Sequence, residues 1–462
     1  MEENTEIKAM ADLLAEVIAF LLPYKDKIIE AILTYNRNFY MYESEVVVKD
    51  ISAIRKQFKA NNAKSSNLIE LVIRNMRLIK ALDEMIGIQI GALIDDSIDI
   101  LRDTDFVTFE KGLNSDESRA KTSITIIPRF KTSWEGSGED REIVSDSFNR
   151  MMNSTRYVEL QDELVGGKYI VNGVIICRNM AIHRENRTRD RGAIRIGMCP
   201  MALDFNLQGE ENRGIYFYQK AWRKKDIDRI NVILYQAIKK AEDEKLNILV
   251  FPEMLGYPKI ENQAYEYMRD VDCKYLKLVV LPSVWETVDG KGSNTAYLVH
   301  AGRAAMILSQ GKLVAFNNNK VKEAIEPARE INLLLDEIHG CLGVLICKSE
   351  LEDSVRDIFV RDLGVKLILC PSWSSGIYPF ETTALANAQW NANMIWTNTC
   401  SAFKSKAKKK LMEQPVCIAT HYCKVPGMAD LQLEKFYPLK NCNKECKNGE
   451  LCLFITEIKG KE

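Results

Sequence analysis

From Ala193 onward the chain alternates short apolar runs with amphipathic stretches, and this alternation limits the possible folds more than any other feature of its 462 residues. "AIRIGMCPMAL" reads as a strand and "DIDRINVILYQAIKKAEDEK" as a helix with Ile227, Ile230, Ile233, Ala237 and Ala241 near one face, while "LNILVFPE" reads as a second strand. Strand, helix and strand in that order form a βαβ unit, whose crossover returns the chain in parallel. Further strands follow in "LKLVVLPSVWE", in the two runs of "NTAYLVHAGRAAMILSQGKLVAF", in "LGVLIC", "VKLILCPSW" and "IWTNTC". "ELEDSVRDIFVRDLG" and the stretch around "TTALANAQWNANM" supply helices between them. Several of the strands are runs of Val, Ile and Leu without polar alternation, the pattern of strands covered on both faces. Residues 191–462 are therefore expected to form an α/β domain.

The preceding residues are different in kind. Residues 1–105 read as helical: in "SNLIELVIRNMRLIKALDEMIG", Leu68, Val72, Met76, Ile79, Leu82 and Ile86 recur at three- and four-residue steps, with Ser66 or Asn67 available as N-cap. That stripe serves equally as the inner face of a bundle or as a partner surface. Residues 106–190 read as a mixed connecting region, with loops at "GLNSDES" and "WEGSGEDRE" and a hairpin turning at Asn172-Gly173. The basic stretch "HRENRTRDRG" leads into the α/β domain.

Composition excludes several classes. Lys and Arg number 63 against 64 Asp and Glu, so no overall field draws the protein to nucleic acid or to a membrane surface. The basic run "KSKAKKK" at 404–410 and the 184–191 loop read as solvated loops, and nucleic acid is not an expected partner. "MEENTEIKAMADLLAEVIAFLLP" begins acidic and carries Asp12 and Glu16 inside its apolar stretch, unlike a secretory signal or a spanning helix. Twelve cysteines without a secretory signal point to a reducing, cytoplasmic setting in which they remain thiols. Cys442, Cys446 and Cys452 lack the paired spacing of a zinc site, so no metal is expected.

Three strand ends share one feature. Glu253 follows "NILVFP", Lys320 and Lys322 follow "LVAFNNN", and Cys347 follows "GVLI". In open α/β sheets, ligands bind beyond the carboxyl ends of strands, so a thiol there has a stronger claim to chemistry than one in mid-strand. A lone carboxylate or lysine at such a place is ordinary; the three together in this order are not.

At these residues the chain resembles the carbon–nitrogen hydrolases, the family of nitrilases and aliphatic amidases. "LVFPEMLGYP" is similar to that family's strand and glutamate, "NTAYLV" to its central hairpin, "KVK" to its lysine motif and "GVLIC" to its nucleophile strand. "GVKLILCPSW", "ANAQWNANMIWTNT" and "GELCLFITEI" resemble its later strands, so that the likeness covers about 193–460. The resemblance implies a nitrilase-like αββα sandwich, a Glu–Lys–Cys catalytic set of Glu253, Lys320 and Cys347, and no metal or organic cofactor. Alignment on the lysine motif puts Lys320 at the catalytic position and Lys322 where a histidine is common. A second glutamate that positions the lysine is implied, with Glu330 preferred over Glu326. Lys348 and Ser349 stand where the family commonly carries an aromatic residue and a carboxylate, which leaves the substrate open. Trp373 is expected to line the pocket, and Lys348 to lower the thiol pKa or meet an anionic group.

The chemistry follows from the residue types as well. A thiolate attacks an amide or nitrile carbon, nitrogen leaves after protonation, and water hydrolyses the thioester. Glu253 serves as general base, and a lysine, a compact charge with three donors, stabilises the oxyanion with the backbone N–H of Lys348. The expected function is hydrolysis of a non-peptide C–N bond in a small amide, preferred over a nitrile, by a homo-oligomer. Two other readings stand beside it. In one, the domain is a non-catalytic assembly or binding module, by analogy with nitrilase-like domains in bacterial multi-component antiviral systems. In the other, a Cys–His hydrolase uses His339 or His300, which leaves Glu253 and the lysine without a role.

Overall fold

The computed structural model describes residues 193–201, 222–288, 291–317, 321–336, 340–388, 390–403, 414–425, 428–438 and 451–459, with the strands 124–128, 157–161, 170–175, 207–211 and 215–219. The chain divides into two compact units, 1–130 with 140–171, and 131–139 with 172–462. In the first, β1 (Ile124–Pro128) pairs antiparallel with β2 (Tyr157–Gln161). The helices expected over 1–105 and most of the connecting region lie outside the described residues. Asn172 and Gly173, expected to turn a hairpin, instead lie within a single strand, β3 (Ile170–Ile175).

The second unit begins with β4 (Ile194–Met198), β5 (Leu207–Glu211) and β6 (Ile215–Gln219), followed by helix α1 (Lys224–Asp243). No side chain caps the start of α1. Its stability comes instead from burying Ile230, Ile233, Leu234, Ala237, Ile238 and Ala241, each large apolar side chain contributing about 1.5–3 kcal/mol before entropy is charged against it. This is the face expected from the sequence, apart from the half-buried Ile227. Strand β7 (Ile248–Val250), helix α2 (Ile260–Val271) and β8 (Leu278–Val280) complete the βαβ pattern, with β4–β7 and β7–β8 both parallel.

The chain then runs through β9 (Val284–Val288), β10 (Lys291–His300) and β11 (Ala305–Gly311), the last two joined by a 3-10 turn at Ala301–Arg303. After β12 (Val321–Glu323) come β13 (Glu330–Asp336) and β14 (Gly340–Val344), then the short helix α3 (Asp353–Asp357) and β15 (Val365–Ser372). Helix α4 (Tyr378–Ala388) and strands β16 (Asn393–Asn398), β17 (Cys417–Val425), β18 (Met428–Phe436) and β19 (Phe454–Ile458) end the unit.

Two seven-stranded sheets carry this unit. One runs β11-β10-β8-β7-β4-β19 with β9 also on β10; the other runs β18-β17-β16-β15-β14-β13-β3. Both are mixed, with parallel strands in the middle and antiparallel ones flanking them. Strands β7, β8, β14 and β16 are buried along their whole length, as the runs of Val, Ile and Leu foretell. Helices α1 and α2 pack on the first sheet and α4 on the second. The two sheets touch where Gln310 on β11 donates to the Glu330 carbonyl at 2.8 Å and accepts from the Asn332 N–H at 2.8 Å on β13. This mixed α/β arrangement fits the α/β domain expected from Ala193 onward, and it brings strand ends from both sheets together. No helix among the described residues is long and apolar enough to cross a membrane.

Candidate active site

Cys347 lies just past β14 and has φ +48, in the left-handed region that non-glycine residues rarely enter. The turn continues as one 3-10 segment, Cys347–Ser349. Met254, directly after Glu253, has φ +63. Two such conformations, each costing about 1–3 kcal/mol, persist only where surrounding packing enforces them, and they cluster at functional sites.

Glu253 follows β7 through Phe251 and Pro252, and its side chain is 1% exposed. Its Oε1 lies 2.7 Å from Nζ of Lys312, and its Oε2 accepts the Trp373 N–H at 2.8 Å. Lys312 directly follows β11, is equally buried, and lies 2.7 Å from Oε2 of Glu323 at the end of β12. Asn294 on β10 bridges the carboxylates, with Nδ2 donating to Oε1 of Glu253 at 2.9 Å and to Oε1 of Glu323 at 3.3 Å. Its Oδ1 accepts from the Ser283 hydroxyl at 2.7 Å, and that hydroxyl accepts the Met254 N–H at 2.8 Å. Glu323 also accepts the Phe316 N–H at 2.9 Å. One buried ammonium thus sits between two buried carboxylates, each held by further donors, which offsets the cost of removing three charges from water.

The second sheet supplies the thiol. Cys347 Sγ lies 3.8 Å from the Trp373 carbonyl, the residue whose N–H holds Glu253, so one peptide segment after β15 touches both. The Ser349 hydroxyl accepts the N–H groups of Leu313 and Val314 at 3.0 and 3.1 Å, tying the Cys347 turn to the segment after Lys312.

Burial sets the protonation states. It pushes the Cys347 thiol well above its ordinary pKa, with the Glu253 charge adding to the rise and Lys312 opposing it. Cys347 therefore rests as a thiol. Burial likewise raises Glu253, with Lys312 pulling it down and Glu323 pushing it up. For Lys312, burial favours the neutral amine, but Glu253 and Glu323 outweigh it and the ammonium is held charged. A buried base with a raised pKa, a fixed cation and a thiol beside them can exchange a proton and stabilise new negative charge.

Of the residues expected from the sequence, Glu253, Cys347 and the Trp373 backbone come together. Lys320 lies outside the described residues. Lys322 on β12 and Glu326 are exposed. Glu330 is exposed at the start of β13, and it is Glu323 that contacts the buried Lys312. Lys348 is part-exposed and pairs with Glu352 at 3.2 Å. His300 caps the turn at Arg303 with its ring, and His339 lies outside the described residues.

Reading by motif does not single out Lys312, Glu323 or Asn294. Counting from the turn at Ala301–Arg303 would set Lys312 opposite Ser293; a bulge between Leu298 and Val299 shifts the register by one, so that Gly311 faces Thr295 and the Lys312 N–H bonds the Asn294 carbonyl at 2.8 Å. The signal the sequence does carry is a lone lysine inside the apolar run "LSQGKLVAF", because lysine is almost never fully buried without a charge partner.

Eight cysteines among the described residues, Cys347 and Cys452 included, are buried and outside any disulfide, while Cys442 and Cys446 lie outside those residues. No family model and no curated protein matches the chain. Among solved structures it is similar to an amidase from Nesterenkonia sp., at 14% identity and a TM-score of 0.38, over 59% of this chain and 91% of that one. It is also similar to Saccharomyces cerevisiae Nit3, a member of branch 10 of the nitrilase superfamily, at 14% identity and 0.33, over 45% and 76%. A mutant of the Nesterenkonia amidase that shows Michael addition of acrylamide at the active-site cysteine is similar at 17% identity and 0.33, over 45% and 79%.

Proposed function

We propose that this protein hydrolyses a non-peptide C–N bond in a small amide through a thioester on Cys347, with Glu253 as base and Lys312 in the role that the lysine motif assigned to Lys320. The observation that carries this reading is the buried Glu253–Lys312–Glu323 cluster, with both contacts at 2.7 Å, meeting a thiol at φ +48.

The steps balance with these groups alone. Glu253 takes the Cys347 proton as sulfur bonds to the carbonyl carbon, and the new oxyanion meets the Lys312 ammonium and the Lys348 N–H. Glu253 returns the proton to nitrogen, the C–N bond breaks and ammonia leaves. Water then enters, gives a proton to Glu253 and attacks the thioester; the C–S bond breaks and the sulfur recovers the proton. A raised Glu253 pKa suits both halves, since proton transfer works best when donor and acceptor are closely matched. Glu323 and Asn294 hold Lys312 and Glu253 in place. An amide is preferred over a nitrile because returning the one proton to nitrogen releases ammonia and leaves the thioester directly, whereas a nitrile gives a thioimidate that must take up a further water before ammonia can leave. The buried cysteines, outside any disulfide among the described residues, suit a reducing cytoplasm.

The test is ammonia release from a panel of small amides and nitriles by the wild type, Cys347→Ala, Lys312→Ala and Lys320→Ala. Loss in the first two variants with retention in the third is the expected result. Release that survives Cys347→Ala, or that fails only in Lys320→Ala, would sink the assignment.

A further inference from the structure

Two buried carboxyls among the described residues, Asp336 and Glu350, stand outside the proposed reaction, and Glu350 is the one beside the Cys347 turn. Glu350, three residues past Cys347, is fully buried, and so is Asn387 near the end of α4. Asn387 Nδ2 donates to Oε1 of Glu350 at 2.6 Å. The other oxygen of each group, Oε2 of Glu350 and Oδ1 of Asn387, is buried without a hydrogen-bond partner. An ionised carboxylate only accepts, and an amide oxygen only accepts, so in the charged form neither oxygen can satisfy the other. A proton on Oε2 supplies a donor where the charged form has none.

The geometry points to Glu350 standing protonated in the folded chain and, paired with Asn387, holding the Cys347 turn against α4 as a positioning residue. Glu350 donates its own N–H to the Cys347 carbonyl at 3.1 Å, so a shift of its side chain passes directly to the thiol-bearing turn. At the other end, the Asn387 carbonyl accepts from Trp390 and Ala392 at 2.9 and 3.2 Å, fixing the amide at the junction with β16. The groups acting on the pair from neighbouring elements are Arg356 on α3 and Cys370 on β15. The Arg356 guanidinium lies 2.8 Å from Asp353, and Cys370 is an uncharged thiol whose own pKa burial raises. Burial pushes the Glu350 carboxyl up to about 7, with the Asn387 bond and the Arg356 charge acting against the rise. That the held turn carries a nucleophile rests on the function proposed above; the protonation state of Glu350 does not.

The sign of the linkage is fixed. Folded Glu350 keeps a proton that the unfolded chain gives up above its ordinary value of 4.5, so stability is fully present below 4.5 and is lost as pH rises to about 7. Denaturant unfolding of the whole chain across this range, for wild type, Glu350→Gln and Asn387→Asp, reads it. Glutamine offers an amide donor to Asn387 Oδ1 and cannot ionise there. The wild-type folding constant is expected to weaken relative to Glu350→Gln by roughly 100-fold or more between about pH 4 and pH 8. Parallel curves for the two would overturn the protonated state. Asn387→Asp sets two carboxyls around one proton, and its decline with pH should be steeper than that of wild type; a decline no steeper counts equally against the pairing. For the positioning role, hydrogen exchange of the segment 347–350 is compared at each pH. Protection in wild type should fall several-fold below that in Glu350→Gln above about pH 7, and equal protection would remove it. Failure to release ammonia from any amide would dispose of the catalytic reading and leave these curves as they are.

Discussion

Lys312 Nζ lies 2.7 Å from Glu253 Oε1, with both side chains buried, and this pair joins the carboxyl ends of two strands in one sheet, β11 and β7. The thiol reaches them from the other sheet, at the end of β14. The candidate chemistry therefore exists only when the two sheets are packed together.

Removing the cation tests that dependence. Lys312→Ala leaves Glu253 and Glu323 facing each other in a buried site without a counter-charge, a situation that costs about 3–5 kcal/mol when one partner of a buried ion pair is deleted. Ammonia release should fall by at least about 100-fold, the loss typical of one oxyanion donor. Lys312→Met, which fills the volume without charge, should fold better than Lys312→Ala and remain equally inactive. Denaturant titration beside the activity assay separates the two effects, and Lys312→Met at wild-type activity would reject the role.

The pH profile of activity should show its acid limb above the usual carboxylate range. Glu253 must be ionised to accept the thiol proton, and burial raises its pKa, so activity is lost as pH falls through that raised value. Toward alkaline pH, Cys347 and Lys312 titrate only at unusually high values, so neither adds a limb near neutrality. Initial rates across the range, with wild type against Glu253→Gln, check this. An acid limb at the ordinary glutamate value would mean that Glu253 is solvated in the working enzyme.

The balance between what was legible and what was not follows the physics of each residue. Strands such as "LGVLIC" and "LNILVFPE" announce themselves because double-sided burial writes a continuous apolar run into the sequence. Glu253 and Cys347 were readable as the first ionisable or nucleophilic residues beyond such runs. Lys312 was not, because "LVAFNNNKVK" offers two more conspicuous lysines, and only the register of β10 against β11 decides which one lies opposite Asn294. Glu323 was passed over because its pairing depends on β12, a three-residue strand lying parallel to β6, about a hundred residues upstream, and no local pattern encodes that contact. Asn172-Gly173 misled in the opposite direction: a pair that favours a turn was overridden by its place in β3.

Ser349 offers a prediction that separates positioning from folding. Its hydroxyl accepts two backbone N–H groups, those of the buried Leu313 and the part-buried Val314, and Ser349→Ala removes that acceptor from both. Each orphaned donor costs about 1–3 kcal/mol. Because these residues directly follow Lys312, kcat should fall more than KM changes, and Ser349→Thr, which keeps the hydroxyl, should recover most of the loss. A Ser349→Ala variant that loses stability but keeps wild-type kcat would limit this hydroxyl to a structural role.

Gly292 is the site where the smallest change should do the most damage. A Cβ built there would lie 1.9 Å from the carbonyl oxygen of Ala324, a backbone atom that cannot swing aside as a side chain can. Ala324 follows Glu323, and Gly292 lies two residues before Asn294 on β10, so relief of the clash must move one of the two partners holding the Lys312 cluster. Gly292→Ala should therefore lower ammonia release about 10-fold or more, since a displacement near 1 Å at a catalytic group costs on the order of 100-fold. Its stability loss should remain in the usual range of about 1–3 kcal/mol for overpacking. The comparison is Gly256→Ala, whose Cβ would meet the Pro282 carbonyl oxygen at 2.4 Å beside the Glu253 loop rather than beside Glu323. If Gly292→Ala retains full activity while Gly256→Ala loses it, Glu323 contributes little to holding Lys312, and Glu253 alone fixes the lysine.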